Sequence, residues 1–138
     1  SSYYGNLGYA YPTALGAKVA QPDKAVVAVC GDGGFMFNVQ ELATAAKHHI
    51  NVVAVVFNDN AYGNVMRDQV NMFDGREYGA EVHNPDFMKL AEAFGVRGVR
   101  VEGGAPELGK AVQESLSIEA PTLIEVPVGP MPNPFRDY

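Results

Sequence analysis

The chain has 138 residues, enough for one domain. With 47% hydrophobic and 19% charged residues it can bury a real core, which excludes a disordered segment. Sixteen acids against ten bases leave a net charge of −6, which argues against a nucleic-acid binder, since that would need a basic face.

Ser1-Ser2-Tyr3-Tyr4-Gly5 opens the chain without an initiator methionine, as in a piece of a larger polypeptide. No basic start leads into an apolar stretch, and no apolar run approaches the roughly 18 residues that cross a bilayer. Neither a signal peptide nor a membrane partner is therefore expected. Pro12 to Ala20 reads as a first helix, with Leu15, Ala17 and Val19 as its apolar content. Ala25-Val26-Val27-Ala28-Val29-Cys30 is a short β-branched run, as in a buried strand of a parallel sheet. Cys30 is the single cysteine, which excludes an internal disulfide framework and fits a cytoplasmic protein. Val39 to His48 places Val39, Leu42, Ala43 and Ala46 at helical spacing. Asn51 to Phe57 is a second buried strand, so the helix between serves as a crossover.

Farther along, Asn84-Pro85-Asp86 predicts a helix start, with Asn84 as the capping side chain and proline in the first turn. Phe87, Leu90, Ala91 and Phe94 give that helix its apolar face, and Gly95 ends it. Val96 to Val101 predicts a strand, Pro106 to Leu116 a helix, and Thr122 to Val126 a last strand. Residues 127–138 hold four prolines and read as an extended tail. Helices and strands alternate throughout. The expected fold is a three-layer α/β/α sandwich with a mostly parallel sheet, formed by one domain over residues 1–138.

In such sheets ligands bind outside the carboxyl ends of the strands. The first buried strand ends in Gly31-Asp32-Gly33-Gly34, and the second in Asn58-Asp59-Asn60-Ala61-Tyr62-Gly63. Asp32 and Asp59 are one strand-helix-strand unit apart, so neighbouring strands bring them together. Two carboxylates at adjacent tips repel unless a cation lies between them, and oxygen-only ligation suits Mg²⁺. Gly33 and Gly34 ahead of a helix offer bare N–H groups to a diphosphate. Each tip alone would be read as an ordinary turn; the pair at this spacing reads as a site for a magnesium-bound diphosphate. A Rossmann dinucleotide loop fails because Met36 stands at its last glycine, and no nucleotide-hydrolase phosphate loop is present.

Gly31-Asp32-Gly33 followed by Asn58-Asp59 resembles the GDG…NN motif of the thiamine diphosphate (TPP)-dependent enzymes. Gly5-Asn6-Leu7-Gly8-Tyr9-Ala10-Tyr11-Pro12, Gly16-Ala17-Lys18, Gln40 to Ala45 and Pro121 to Val126 are similar to segments of the acetolactate-synthase-like and benzoylformate-decarboxylase-like members. The resemblance spans about residues 5 to 128 and implies the C-terminal diphosphate-binding domain of such an enzyme. On that resemblance Asp32 and Asp59 are metal ligands through their side chains and Ala61 through its carbonyl. Gly31, Gly33, Gly34, Tyr62 and Gly63 line the diphosphate. Leu7 props the cofactor in a bent form, and the Gly5 carbonyl accepts a hydrogen bond from the aminopyrimidine. Val65 and Asp68 fall at the substrate pocket. Asp59 departs from the family, which usually has asparagine there. Asp68 replaces the large aromatic residue of acetolactate synthases.

The resemblance further implies decarboxylation or carboligation of 2-keto acids. It implies a separate pyrimidine-binding domain, on the same or a second chain, that carries the activating glutamate, and a homodimer or homotetramer. No residue of this chain matches that domain, so no catalytic residue is assigned here. A flavin, used by some relatives, would bind a domain outside this chain. Two alternatives stand beside this reading: a separate small subunit of a two-chain decarboxylase, and a non-enzymatic α/β binding module. His48 and His49 read as the end of the crossover helix, His83 as a loop residue and Cys30 as a core residue.

Overall fold

The computed structural model describes residues 5–130. Its elements run α1 (Ala10–Ala20), β1 (Val27–Gly31), α2 (Asp32–Met36), α3 (Glu41–His48), β2 (Val53–Asn58), α4 (Gly63–Met72), α5 (Phe87–Phe94), β3 (Arg97–Arg100), α6 (Ala105–Leu116) and β4 (Thr122–Pro127). The four strands form one sheet in the order β1-β2-β4-β3, and every pairing is parallel. The predicted α/β architecture is therefore found, with β1 and β2 side by side.

Alternation along the strands sorts their side chains onto two faces. Ala28, Cys30, Ala54, Val56 and Leu123 meet α1, α2, α3 and α5, and Tyr11, Leu15, Phe35, Leu42, Phe87 and Ala91 close that core. Phe35 is its aromatic hub, 5.4 Å from the Tyr11 ring in an edge-on contact and 6.2 Å from that of Phe87. Val53, Val55, Ile124 and Val126 point the other way and pack with Ala111 of α6. Among the described residues, α6 is the only helix packed on that second face, and β1 is not under it. Val27 and Val29 consequently remain 39% and 62% exposed at the sheet's edge. Gly98 of β3 lets α5 close in, because a Cβ there would lie 3.1 Å from the Ala91 methyl and 3.3 Å from the Met88 sulfur.

Three local expectations are corrected. Gly33 and Gly34 lie within the short helix α2, not in a turn ahead of the long crossover helix, which begins only at Glu41. The cap of α5 is Asp86, whose side chain accepts from the backbone N–H groups of Met88 and Lys89, so Pro85 precedes the cap and Asn84 is released for other partners. The tail does not begin at Pro127. That residue ends β4, and the Val128 N–H donates to the Asn58 carbonyl at 2.9 Å. The rest of the predicted tail, from residue 131, lies outside the described residues. No described helix is long and apolar enough to cross a membrane.

Candidate functional site

Parallel pairing puts the carboxyl ends of β1 and β2 next to each other, with Gly31 level with Phe57. The chain therefore leaves the sheet at Asp32 and Asp59 on adjacent tips. Asp32 is 1% exposed as the first residue of α2. Asp59 is only partly buried, in a turn held by Asn58 and by its own side chain. The Ala61 N–H donates to Asp59 Oδ1 at 3.1 Å and the Asn60 N–H to Asn58 Oδ1 at 3.2 Å. Asn60 takes a positive φ of 57°, which asparagine tolerates better than other side chains bearing a Cβ. Burial, followed by the negative charge of Asp32 beside it, raises the pKa of Asp59 above the usual carboxylate range, against the lowering effect of the Ala61 N–H.

A cleft of about 400 Å³ opens over these tips, lined by Gly5, Leu7, Gly31, Asp32, Gly33, Gly34, Asp59, Ala61, Tyr62, Gly63 and Val65 together with Phe57, Asn64 and Val128. Its floor depends on glycine. A Cβ on Gly33 would sit 2.6 Å from the Tyr62 ring, far inside van der Waals contact. A Cβ on Gly34 would come 3.6 Å from Leu7 Cδ2, so Leu7, itself half-exposed, leans over that residue. Tyr62 is fixed from outside by an edge contact with Phe37, ring centres 6.4 Å apart.

Every residue assigned from the sequence to the metal, the cofactor or the substrate pocket lines this cleft except Asp68. That side chain is 57% exposed on α4, 3.7 Å from the Arg67 guanidinium, and is not among the cleft residues. Arg67 faces a neighbouring cavity shared with Glu77 and Glu81, and its Nη1 is buried without a hydrogen-bond partner. His48 ends α3 and His49 is its left-handed cap, both remote from the cleft, and Cys30 is buried in the core with its thiol pushed up to about 11 by burial.

The structure adds residues that the sequence did not flag. Asn84 Nδ2 donates to Asp32 Oδ2 at 2.5 Å and to Asn58 Oδ1 at 2.9 Å. An antiparallel bridge between Ala61 and Glu81 brings the Asn84 segment to the strand tips, with Tyr62 N–H to Ala80 carbonyl at 2.8 Å and Val82 N–H to Asn60 carbonyl at 2.9 Å. The missed signal was the doublet of capping residues: a helix has one N-cap, so either Asn84 or Asp86 had to serve elsewhere.

Asp32, Asp59 and Ala61 all line this cleft, and carboxylates and backbone carbonyls are hard oxygen donors of the kind that suit a small divalent cation. Among the described residues no group of three or more His, Cys, Asp or Glu converges, so a softer or acid-rich metal centre is not indicated there.

Comparison with known proteins bears on the same residues. A family model described as thiamine pyrophosphate enzyme, C-terminal TPP binding domain, matches residues 1–126. The probable acetolactate synthase large subunit of Methanococcus aeolicus is 39% identical over 131 residues, covering 91% of this chain and 21% of that protein. The sulfoacetaldehyde acetyltransferase of Castellaniella defragrans is 36% identical over 126 residues, covering 89% and 21%. Among solved structures, the thiamine diphosphate-dependent 4-hydroxybenzoylformate decarboxylase of Rhodococcus jostii RHA1 superposes with a TM-score of 0.81 at 36% identity, covering 89% of this chain and 23% of its own. The chain thus spans about a fifth of the length of these relatives.

Proposed function

The chain belongs to the thiamine pyrophosphate enzymes as a C-terminal TPP-binding domain, and on that premise we propose that it holds the diphosphate of thiamine diphosphate through Mg²⁺ in an enzyme acting on 2-keto acids. Asp32 and Asp59 hold the cation through their carboxylates and Ala61 through its carbonyl. Gly31, Gly33, Gly34, Tyr62 and Gly63 border the diphosphate, and Gly33 has no Cβ where the Tyr62 ring takes the space. Leu7 supports the middle of the cofactor from above Gly34, and the Gly5 carbonyl accepts from its pyrimidine. Val65, half-exposed in the same cleft, faces the substrate.

The chemistry supplied by thiamine diphosphate, when bound, is that of an electron sink for breaking or forming a bond beside a ketone carbon. What this chain contributes is position and charge. Its cleft orients the cofactor, its acids neutralise the cation, and Leu7 excludes alternative cofactor shapes. A glutamate on a pyrimidine-binding domain, of the same or a second chain, would complete the cofactor site, and a cytoplasmic homodimer or homotetramer is the assembly this reading expects. Substrates of the decarboxylase or carboligase type follow from this reading; Asp68, exposed and off the cleft, gives no basis for choosing among them.

The observation that carries the proposal is the pair Asp32 and Asp59, which leave adjacent parallel strand tips and line one cleft. Calorimetry of the full-length protein with thiamine diphosphate and Mg²⁺ tests it. Saturable binding that Asp32→Ala reduces by at least about a hundredfold is expected for loss of a charged metal ligand. Binding indifferent to that substitution, or none at all, defeats the reading.

A further inference from the structure

Glu125 is the one charged residue of β4, and it is 2% exposed. Burying a carboxylate is costly and an ion pair seldom repays the cost in stability, so its presence calls for another reason. Its partners provide one. Arg100, at the end of β3, donates from Nε to Glu125 Oε2 at 2.9 Å and pairs its charge with the same oxygen, Nη2 lying 2.8 Å away. Hydrogen bonding to Glu125 raises the Arg100 pKa further, so the guanidinium stays charged. The other oxygen, Oε1, accepts from Asn58 Nδ2 at 2.8 Å, at the end of β2.

The direction of each amide in this row is forced. A carboxylate occupied by a guanidinium only accepts, so Asn58 must turn its NH₂ toward Glu125. Its Oδ1 is thereby aimed the other way, where it accepts from the Asn60 N–H and from Asn84 Nδ2. Asn84 must in turn present its NH₂ rather than its oxygen, and the same nitrogen reaches Asp32 Oδ2. The row runs Arg100, Glu125, Asn58, Asn84, Asp32. It crosses the carboxyl edge in the spatial order β3, β4, β2, β1 and ends on a proposed ligand. Were Asn58 reversed, its NH₂ would face the Asn60 N–H and the Asn84 NH₂, donor against donor, and the Asn84 amide would be pushed off its place against Asp32.

We propose that Glu125 and Arg100 are positioning residues of the cation site, acting through the fixed amide directions of Asn58 and Asn84 to hold one oxygen of Asp32 and leave the other aimed at Mg²⁺. The inference rests on the function proposed above. Partners behind a metal ligand commonly change metal affinity by about ten- to a hundredfold.

The test is a double-mutant cycle on the full-length protein, reading Mg²⁺ affinity by calorimetry at saturating thiamine diphosphate. Glu125→Gln, which lets Asn58 reverse, weakens Mg²⁺ about tenfold, and Asn84→Ala does the same. The double variant is no weaker than either, because a row broken once loses nothing more at a second break. A purely structural role would give effects that multiply. Where Glu125→Gln fails to fold, Arg100→Gln, at a residue with a side chain 42% exposed, replaces it in the cycle with a smaller change in the same direction. Wild-type Mg²⁺ affinity in the folded Glu125 or Arg100 variant, or a multiplicative double variant, overturns the proposal. Absence of binding by the wild-type protein instead removes the cofactor reading, and this inference with it.

Discussion

At the amino-terminal edge of the sheet lies a cavity of about 610 Å³, bordered by Lys18, Lys24, His48, His49, Asn51 and Glu119; the cleft at the carboxyl edge is about 400 Å³. The larger hollow has the weaker claim to chemistry. Its charges are of both signs, and Lys18 is already engaged with the carbonyls of Pro22 and Lys24 at 2.7 Å and 2.8 Å. At the smaller one, two acids stand on adjacent strand tips, Gly33 makes way for the Tyr62 ring, and a row of amides is aligned on one carboxylate. The difference teaches that unresolved charge converging on a space identifies a site better than the size of the space does.

The comparison can be broken by substitution, and the largest expected effect is on stability. Phe87 is fully buried beneath the carboxyl edge, three residues after Asn84. Phe87→Ala should cost about 3–5 kcal/mol in thermal or denaturant unfolding, and weaken cofactor binding as the Asn84 segment loosens. An unchanged melting temperature would show that this edge is not built on the core beneath it. Next in size, Asp59→Asn should lower Mg²⁺ affinity about tenfold by removing one ligand charge, measured by metal titration. It should at the same time stabilise the metal-free protein, since the repulsion from Asp32 is gone. A loss in both quantities would contradict the account of the pair.

A smaller effect is expected at the α5 cap. The N–H groups of Lys89 and Met88 hold the Asp86 carboxyl below the usual range. Its contribution is therefore complete above the ordinary aspartate range and disappears as pH falls through its lowered value. Asp86→Ala should reduce the melting temperature at neutral pH, and the gap to wild type should close in acid. A gap that persists in acid would mean that something other than the ionised cap is lost. The smallest change belongs to the amino edge. Lys18→Ala should cost no more than about 1 kcal/mol and leave cofactor affinity where it was. If that variant lost binding, the ranking of the two hollows would have to be reversed.

Much of this architecture was legible in the chain because continuous β-branched runs admit few readings. Val26 to Val29, Val52 to Val56 and Leu123 to Val126 read as strands, and the polar residues after the first two mark their tips; the first was expected to be buried on both faces, but it lies at the edge among the described residues and buries only Ala28 and Cys30. The site lay there because Asp32 and Asp59 follow adjacent strands directly. What was hidden lacked a periodic signature. Helix α2 is five residues with two glycines, shorter than any helical repeat can announce. Asn84 was mistaken for the cap because Asn84 and Asp86 are equally good at capping, and only the backbone decides which one does so. Glu125 carried a signal that could have been used: a lone acid within a buried strand needs a partner, which the structure supplies in Arg100 and Asn58.

Val27 and Val29 bring one practical consequence. Strand β1 ends the sheet on one side among the described residues, with both valines facing solvent and its outer N–H and C=O groups open to a further strand. A bare, sticky margin of that sort is a template for unwanted strand addition between copies. A preparation of these 138 residues by themselves therefore has a built-in route to precipitation, and shielding that margin is the first step toward keeping the polypeptide in solution.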